Sequence, residues 1–258
     1  MARILDEPWT GAAAGTAVSG TNSLFAPSAT VAGGTHLFSA VMSHPSYASY
    51  VDVTEGAHFL ASTGYTFPTT GTIYTRVYFR ASVITASNSL NVALLNGTTT
   101  VTRFGLNTTG KLVVQNVTTS QTPVSTMTLA ANTDYRIEQD LNLGTGEAVM
   151  RIYSGANLNG TTPDETFTVT TACAVNPTIN AVRIGYINST VGSASSTRYI
   201  GPLAIDDTTQ PGPLSGVTLT TVRPNATTAA GGWTTGAASL HAALSDQSNA
   251  TIITGTGA

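Results

Sequence analysis

Charged residues are scarce in this 258-residue chain. Asp, Glu, Lys and Arg together make up 9% of the residues, whereas hydrophobic residues make up 41%; an ordinary globular chain carries about 25% charged residues. The formal net charge is only -3. Because so small a charge gives no long-range attraction to phosphate backbones or anionic lipids, we expect neither nucleic acid nor a membrane as a partner. A nearly neutral surface rich in Thr, Ser and Asn favours a particle or extracellular setting with protein neighbours.

Cysteine, long apolar runs and a secretory leader are also lacking. The single cysteine, Cys173, cannot form an internal disulfide and is interpreted as a small core residue. No apolar run approaches the roughly twenty residues that cross a bilayer. The opening MARILDEPW is too short and too acidic for a signal peptide. We therefore expect neither membrane insertion nor signal-dependent export.

Short runs of alternating apolar and polar residues are what the chain does contain. The clearest lies at 134–155, where two such runs flank Gly144-Thr145-Gly146 and predict an antiparallel hairpin. Arg136, Glu138 and Asp140 fall on the side opposite the apolar residues, and we expect that side to face solvent.

About a dozen such runs, with turns every eight to twelve residues, predict an all-β fold, an antiparallel jelly-roll sandwich. We expect an N-terminal arm at 1–35, the sandwich at 36–207, and a linker with a C-terminal attachment segment at 208–258. The last boundary rests on Pro211-Gly212-Pro213, which cannot continue a strand. Residues 237–246 are the one short helix candidate.

Residues with catalytic or metal-binding spacing are few. Glu138 and Asp140 have the i, i+2 spacing that places two carboxylates on one face of a strand, but solvated carboxylates are the usual occupants of such positions. There is no G-x-S-x-G sequence, and the histidines lack metal-ligand spacing. We assign no catalytic, cofactor or metal residue. A group of acids predicts turns or, alternatively, ligands of a surface calcium ion: Asp164, Glu165, Asp206 and Asp207.

Aromatic side chains offer candidates for binding and attachment. Four tyrosines are suited either to a glycan platform or to packing against a neighbouring strand or subunit: Tyr74, Tyr78, Tyr153 and Tyr186. Three further aromatics are candidate anchors of the terminal segments, on the sandwich or on a neighbouring subunit: Trp9, Phe25 and Trp233.

Several segments carry a resemblance to a known family. They occur in the order LNTTGKLVV (106–114), AANTDYRI (130–137), RIYSG (151–155), VRIGY (182–186) and YIGPLAIDD (199–207). Together they resemble the concanavalin A-like (laminin-G-like) jelly-roll domain in virion proteins of tailed bacteriophages, both minor tail proteins and capsid fibre or decoration proteins. The opening EPWTGAAAGTAVSGTNSLF and the later VRPNATTAAGGW are similar to segments of the same proteins.

The resemblance implies a structural protein of the virion, made in the host cytoplasm without a signal peptide. It implies other virion proteins as partners, a homo-oligomer, and host-surface glycan as a further ligand. Hydrolytic relatives carry an E-x-D-x-x-E strand, whereas no second glutamate follows Glu138 and Asp140 here, so we expect no enzyme activity. The alternatives are a lectin-like carbohydrate-binding module and a glycoside hydrolase of the same fold. Tail and capsid locations both remain open.

Overall fold

The structure is a computed structural model of the chain and describes the following residues: 3–9, 12–27, 37–44, 47–50, 58–62, 67–84, 89–107, 109–116, 122–185, 198–212, 233–235 and 253–255. The chain divides into two compact units, Met1–Gly216 and Val217–Ala258. In the second unit, β16 (Trp233–Thr235) pairs antiparallel with β17 (Ile253–Gly255). The helix predicted at 237–246 lies outside the described residues.

The first unit consists of two antiparallel sheets, with strands numbered in chain order. The larger sheet has eight strands: β1 (Arg3–Glu7), β3 (Phe38–His44), β4 (Tyr47–Tyr50), β6 (Thr72–Ala81), β11 (Tyr135–Asn142), β12 (Glu147–Ser154), β13 (Glu165–Val169) and β15 (Arg198–Asp206). Their order is β13-β12-β11-β6-β15-β4-β3, and β1 pairs with β15 beside this path.

The second sheet has seven strands: β2 (Ala26–Pro27), β5 (His58–Ser62), β7 (Ser89–Asn96), β8 (Thr99–Leu106), β9 (Lys111–Asn116), β10 (Thr122–Thr128) and β14 (Ala181–Gly185). Their order is β10-β9-β8-β7-β14-β5-β2. The two sheets enclose one main hydrophobic core, to which both contribute alternate residues. The predicted all-β jelly-roll sandwich is confirmed.

The predicted central hairpin is formed by β11 and β12. Their register pairs Tyr135 with Ser154 and Asn142 with Glu147, and the apolar residues of both strands enter the core. The turn uses Gly146 at a φ of 75°, a backbone conformation that glycine adopts without strain. Two-residue alternation thus predicted the strands, their length and the turn.

Where the structure describes them, the residues of the predicted N-terminal arm pack on the sandwich. Trp9 is fully buried, stacks on Phe25 at a ring-centroid distance of 5.7 Å, and donates from Nε1 to the Gly201 carbonyl at 3.0 Å. The Glu7 carboxylate accepts hydrogen bonds from the backbone N–H of Trp9 and of Leu24. Pairing and burial therefore join this segment to β15, about 200 residues away, and the boundary at residue 35 stays a prediction.

One pair of sheet edges is joined by a side chain. The Glu165 carboxylate on β13 accepts hydrogen bonds from the backbone N–H groups of Thr126 and Met127 on β10. Each of these strands ends its own sheet. Glu165 therefore connects the two layers and occupies backbone donors of an edge strand that would otherwise be open to pairing.

Candidate functional site

Three neighbouring strands of the larger sheet bring charged and aromatic side chains together on the face turned away from the core. In the register, Glu138 is opposite both Arg76 and Arg151. The next row on the same face consists of Tyr78, Arg136 and Tyr153. We call this surface the polar face and define it by nine residues: Tyr74, Arg76 and Tyr78 of β6; Arg136, Glu138 and Asp140 of β11; Val149, Arg151 and Tyr153 of β12. Three arginines and two carboxylates thus share a small area.

Arg136 lies at the centre of the polar face and is fully buried. Its guanidinium carbon is 3.5 Å from the ring centroid of Tyr153, a cation–π contact. Its Nε is 2.9 Å from Oε1 of Glu138, in ion-pair contact but misaligned for a hydrogen bond. Its terminal nitrogens donate to the carbonyls of Leu158 and Gly160, the latter at 2.7 Å. One guanidinium therefore joins two strands and the loop after β12.

Asp140 and Arg151 form a second pair nearer to solvent. Two hydrogen bonds, of 2.8 and 2.7 Å, run from the Arg151 nitrogens to the two carboxylate oxygens. The side chains keep 27% exposure for Arg151 and 19% for Asp140. The hydrogen bond with Asp140 raises the pKa of Arg151 further above its usual value. Bidentate geometry makes this the best aligned ion pair on the polar face.

Two loops cover the polar face from opposite ends. One follows β12 and begins with a short 3-10 helix, Gly155–Asn157; Asp164 fastens it by accepting hydrogen bonds from Ser154 and Asn157. Burial alone would raise the pKa of Asp164, but these hydrogen bonds together lower it below its ordinary value. The other loop follows β15. There, Gln210 donates to Asp140 at 3.1 Å and the Gly212 carbonyl accepts from Arg76 at 3.1 Å.

The expectation that this side of β11 faces solvent is wrong for Arg136 and Glu138, whereas Asp140 stays partly exposed. Glu138 is 2% exposed, because the two loops cover the side of the strand that the alternating pattern predicted to face solvent. Tyr153 donates from its hydroxyl to Glu138 at 3.3 Å. Burial raises the pKa of Tyr153, and the charge of Glu138 adds to this, while Arg136 acts in the opposite direction. Both carboxylates with catalytic spacing thus bind arginines of the same face.

The predicted binding aromatics occupy different environments. Tyr74 is half-buried, whereas Tyr78 and Tyr153 are only 1% and 3% exposed and present no ring to a ligand. Trp9 and Phe25 belong to the sandwich core. Tyr186 and the side chain of Trp233 lie outside the described residues. The structure therefore brings Tyr74, Tyr78 and Tyr153 onto one face but leaves only Tyr74 partly accessible.

No three His, Cys, Asp or Glu side chains among the described residues lie close enough together to hold a metal ion. No helix in the described part of the chain is long and apolar enough to cross a membrane.

Sequence reasoning assigned no role to the three arginines of the polar face, Arg76, Arg136 and Arg151. Each alternates with apolar residues, as an ordinary solvent-facing arginine would. Their arrangement depends on the pairing of β6 with β11. These two strands are separated in the chain by the 53 residues that lie between Ala81 and Tyr135. A pattern of opposite charges at matching strand positions was the one available signal.

No protein-family model and no curated protein sequence matches the chain. Among solved structures, the chain is similar to the botulinum neurotoxin serotype C1 binding domain, with 12% identity, a TM-score of 0.49, and coverage of 79% of this chain and 48% of that one. It is also similar to Trypanosoma rangeli sialidase, with 12% identity, a TM-score of 0.44, and coverage of 67% and 27%. The chain thus covers less than half the length of either structure. Similarity at this level concerns the sandwich fold and carries no information about ligand or activity.

Proposed function

We propose that the chain is a non-catalytic structural protein of a bacteriophage virion that displays its β-sandwich on the particle. The observation that carries this proposal is that the charged side chains of the polar face are already engaged within the chain. Its arginines and carboxylates bind one another and the loops of the same chain. These contacts stabilise the sandwich. They also occupy both carboxylates of the polar face, so that neither is left open to a substrate.

The chemistry of the two carboxylates supports the non-catalytic part of the proposal. A glycosidase needs one protonated acid and one free carboxylate on either side of a bound sugar. Glu138 is buried against Arg136, and Asp140 is held by both nitrogens of Arg151. Both carboxylates are thus engaged by arginines of the same chain.

The virion part of the proposal rests on the sequence resemblance and on the low charge of the chain. It is tested by mass spectrometry of purified particles of the phage that encodes the chain. We expect the protein at a stoichiometry matching a symmetric tail or capsid component, and immunogold labelling then distinguishes tail from capsid. Recovery of the protein only from the soluble lysate, and never with particles, would refute the proposal.

A second candidate function is binding of host-surface glycan at the accessible part of the polar face. Tyr74 is half-buried there, and the register places it beside Asp140, whose pair with Arg151 is also partly exposed. A ring next to hydrogen-bonding groups suits a sugar. Glycan-array binding that is saturable and lost in Tyr74→Ala supports this function. Equal binding by Tyr74→Ala, or none by the wild type, counts against it.

A further inference from the structure

The loop between β12 and β13, residues 155–164, contains the dipeptide Asn159-Gly160. Arg136 binds this loop on both sides of Asn159, because its two terminal nitrogens donate to the carbonyls of Leu158 and Gly160. The contact with the Gly160 carbonyl is 2.7 Å long. One guanidinium therefore fixes the length of main chain that lies between these two carbonyls.

The side chain of Asn159 is exposed and lies in a turn. It makes no hydrogen bond within the part of the chain that the structure describes. Few rotatable bonds separate its amide carbon Cγ from the backbone nitrogen of Gly160, so that an electrophile and a nucleophile are held at high effective concentration. Asparagine is accordingly one of the thermolabile residues of proteins.

Close packing explains why glycine follows Asn159. A Cβ atom at position 160 would overlap Oδ1 of Asn157. The Asn157 side chain is held in place, since its Nδ2 donates to the Thr162 carbonyl at 2.9 Å and to Asp164 at 3.0 Å. The missing side chain at position 160 also leaves the Gly160 nitrogen open to approach by Cγ of Asn159.

A second dipeptide of the same kind, Asn96-Gly97, offers a comparison within the chain. Asn96 is the last residue of β7 and is paired with β8. Asn180 accepts from the Gly97 N–H at 2.7 Å and donates to Oδ1 of Asn96 at 3.5 Å. Attack on Cγ requires rotation of the asparagine backbone, which the strand pairing opposes at Asn96. At the other dipeptide the Gly160 N–H donates within its own turn at 2.8 Å, and Asn159 belongs to no strand.

We propose that Asn159 is a site of spontaneous deamidation and isomerisation, and that the isoaspartate formed there releases the loop from Arg136. In the first step the Gly160 nitrogen loses its proton and bonds to Cγ of Asn159, while the bond between Cγ and Nδ2 breaks and ammonia leaves with that proton. In the second step water adds its hydroxyl to the main-chain carbonyl carbon of residue 159. The bond from that carbon to the Gly160 nitrogen breaks, and the nitrogen takes the remaining hydrogen of the water. The sum is loss of ammonia and gain of water, without oxidation or reduction.

The isoaspartate has a longer main chain between the two carbonyls that Arg136 binds. Its Cβ becomes a main-chain atom, which adds about 1.5 Å between Leu158 and Gly160. A displacement of that size exceeds what a hydrogen bond tolerates, so both carbonyls cannot keep their places on one guanidinium. The loop therefore comes away from Arg136 and uncovers the buried Glu138.

The site is tested by incubating the full chain in neutral buffer at physiological temperature for several weeks, followed by digestion at mildly acidic pH and mass spectrometry. Replacement of the amide NH2 by OH raises the peptide mass, and labelling by an isoaspartyl methyltransferase distinguishes isoaspartate from aspartate. We expect conversion at Asn159 to be at least tenfold faster than at Asn96, with isoaspartate as the main product. Equal rates at the two asparagines, or no conversion at Asn159, would overturn the proposal.

Release of the loop is measured by hydrogen exchange of peptides from 155–164, in fresh and in incubated protein. In the closed loop the Asp164 N–H donates to the Ile152 carbonyl at 2.8 Å, and we expect this region to exchange at least tenfold faster in the isoaspartate fraction. Asn159→Gln keeps a side-chain amide but disfavours the five-membered ring, so its loop should stay protected through the same incubation. Isoaspartate with unchanged protection contradicts the release, and equal loss of protection in Asn159→Gln contradicts the assignment to Asn159.

Asn159→Asp, measured before incubation, separates the new charge from the longer main chain. It adds a carboxylate without a further main-chain atom, and we expect its loop to exchange within twofold of the wild-type rate. Exchange as fast as in the isoaspartate fraction would mean that charge opens the loop, and would refute the role given to chain length. None of these measurements depends on whether the chain is part of a virion.

Discussion

Removal of the Arg136 guanidinium is the most direct test of how the polar face is held together. Arg136→Met keeps much of the side-chain length but removes the charge. Glu138, 2% exposed, then loses its closest counter-charge, and the carbonyls of Leu158 and Gly160 lose their donors. Breaking a buried ion pair by removing one partner costs about 3–5 kcal/mol.

The expected loss lies near the lower end of this range, about 3 kcal/mol, because Arg151 also interacts electrostatically with Glu138. For a unit of this size, 1 kcal/mol corresponds to about 2–4 °C in melting temperature, so we expect a decrease of about 6–12 °C. The free energy of unfolding is measured by urea titration of the full chain, followed by far-ultraviolet circular dichroism and by fluorescence of the buried Trp9.

Two further variants make the reasoning refutable. Arg80→Met breaks a pair whose side chains are 23% and 31% exposed, and it should cost less than about 1 kcal/mol. The double variant Arg136→Met/Glu138→Met removes both charges and should recover about 2 kcal/mol of the loss, since an apolar replacement of a buried pair is often neutral. A double variant as unstable as Arg136→Met, or equal losses at Arg80 and Arg136, would refute the role assigned to the buried pair.

Four other predictions concern the core and its thiol. Gln139 is fully buried among core-facing residues, and neither end of its amide has a hydrogen-bond partner among the described residues; Gln139→Met should therefore stabilise the chain by about 1–3 kcal/mol in urea titration, and a loss of stability would contradict this. Trp9→Ala should cost about 3–5 kcal/mol although it lies in the predicted arm, whereas a cost below about 1 kcal/mol would mean that the N-terminal segment is detachable. Burial raises the pKa of Cys173 to about 11 from an ordinary 9.0, so the thiol should react with Ellman's reagent at pH 8 only after unfolding. The same shift favours the folded state below pH 9, and this contribution should be lost as the pH rises toward 11; a Cys173→Ala variant should lack that part of the pH dependence.

Local alternation predicted the strands well because a strand with one buried face places an apolar residue at every second position of the sequence. The hairpin predicted at 134–155 corresponds to β11 and β12, in which the residues that face the core are two residues apart. The first strand, β1, was missed: its partner β15 is near residue 200, and a short run of five residues with three charges does not read as a strand by itself.

The polar face could not be predicted for a related reason. Alternation divides a strand into two sides but does not say what covers the second side. Arg76 meets the Gly212 carbonyl, 136 residues further along the chain, and Gln210 reaches Asp140 across 70 residues. The same residue types would be solvated if these loops lay elsewhere, so the assignment to solvent was reasonable and wrong.

The amino-acid sequence by itself determined that this protein is an all-β sandwich with a central hairpin, because side-chain period and turn residues are local properties of the chain. Only the tertiary structure decided which charges meet. Strands that are neighbours in space, such as β14, β7 and β8, are separated in the chain by up to about 90 residues, and their register alone places Arg183 and Arg103 on either side of Ala93. Coulomb energy depends on distance in space, and that distance is set by strand pairing and loop packing rather than by position in the chain.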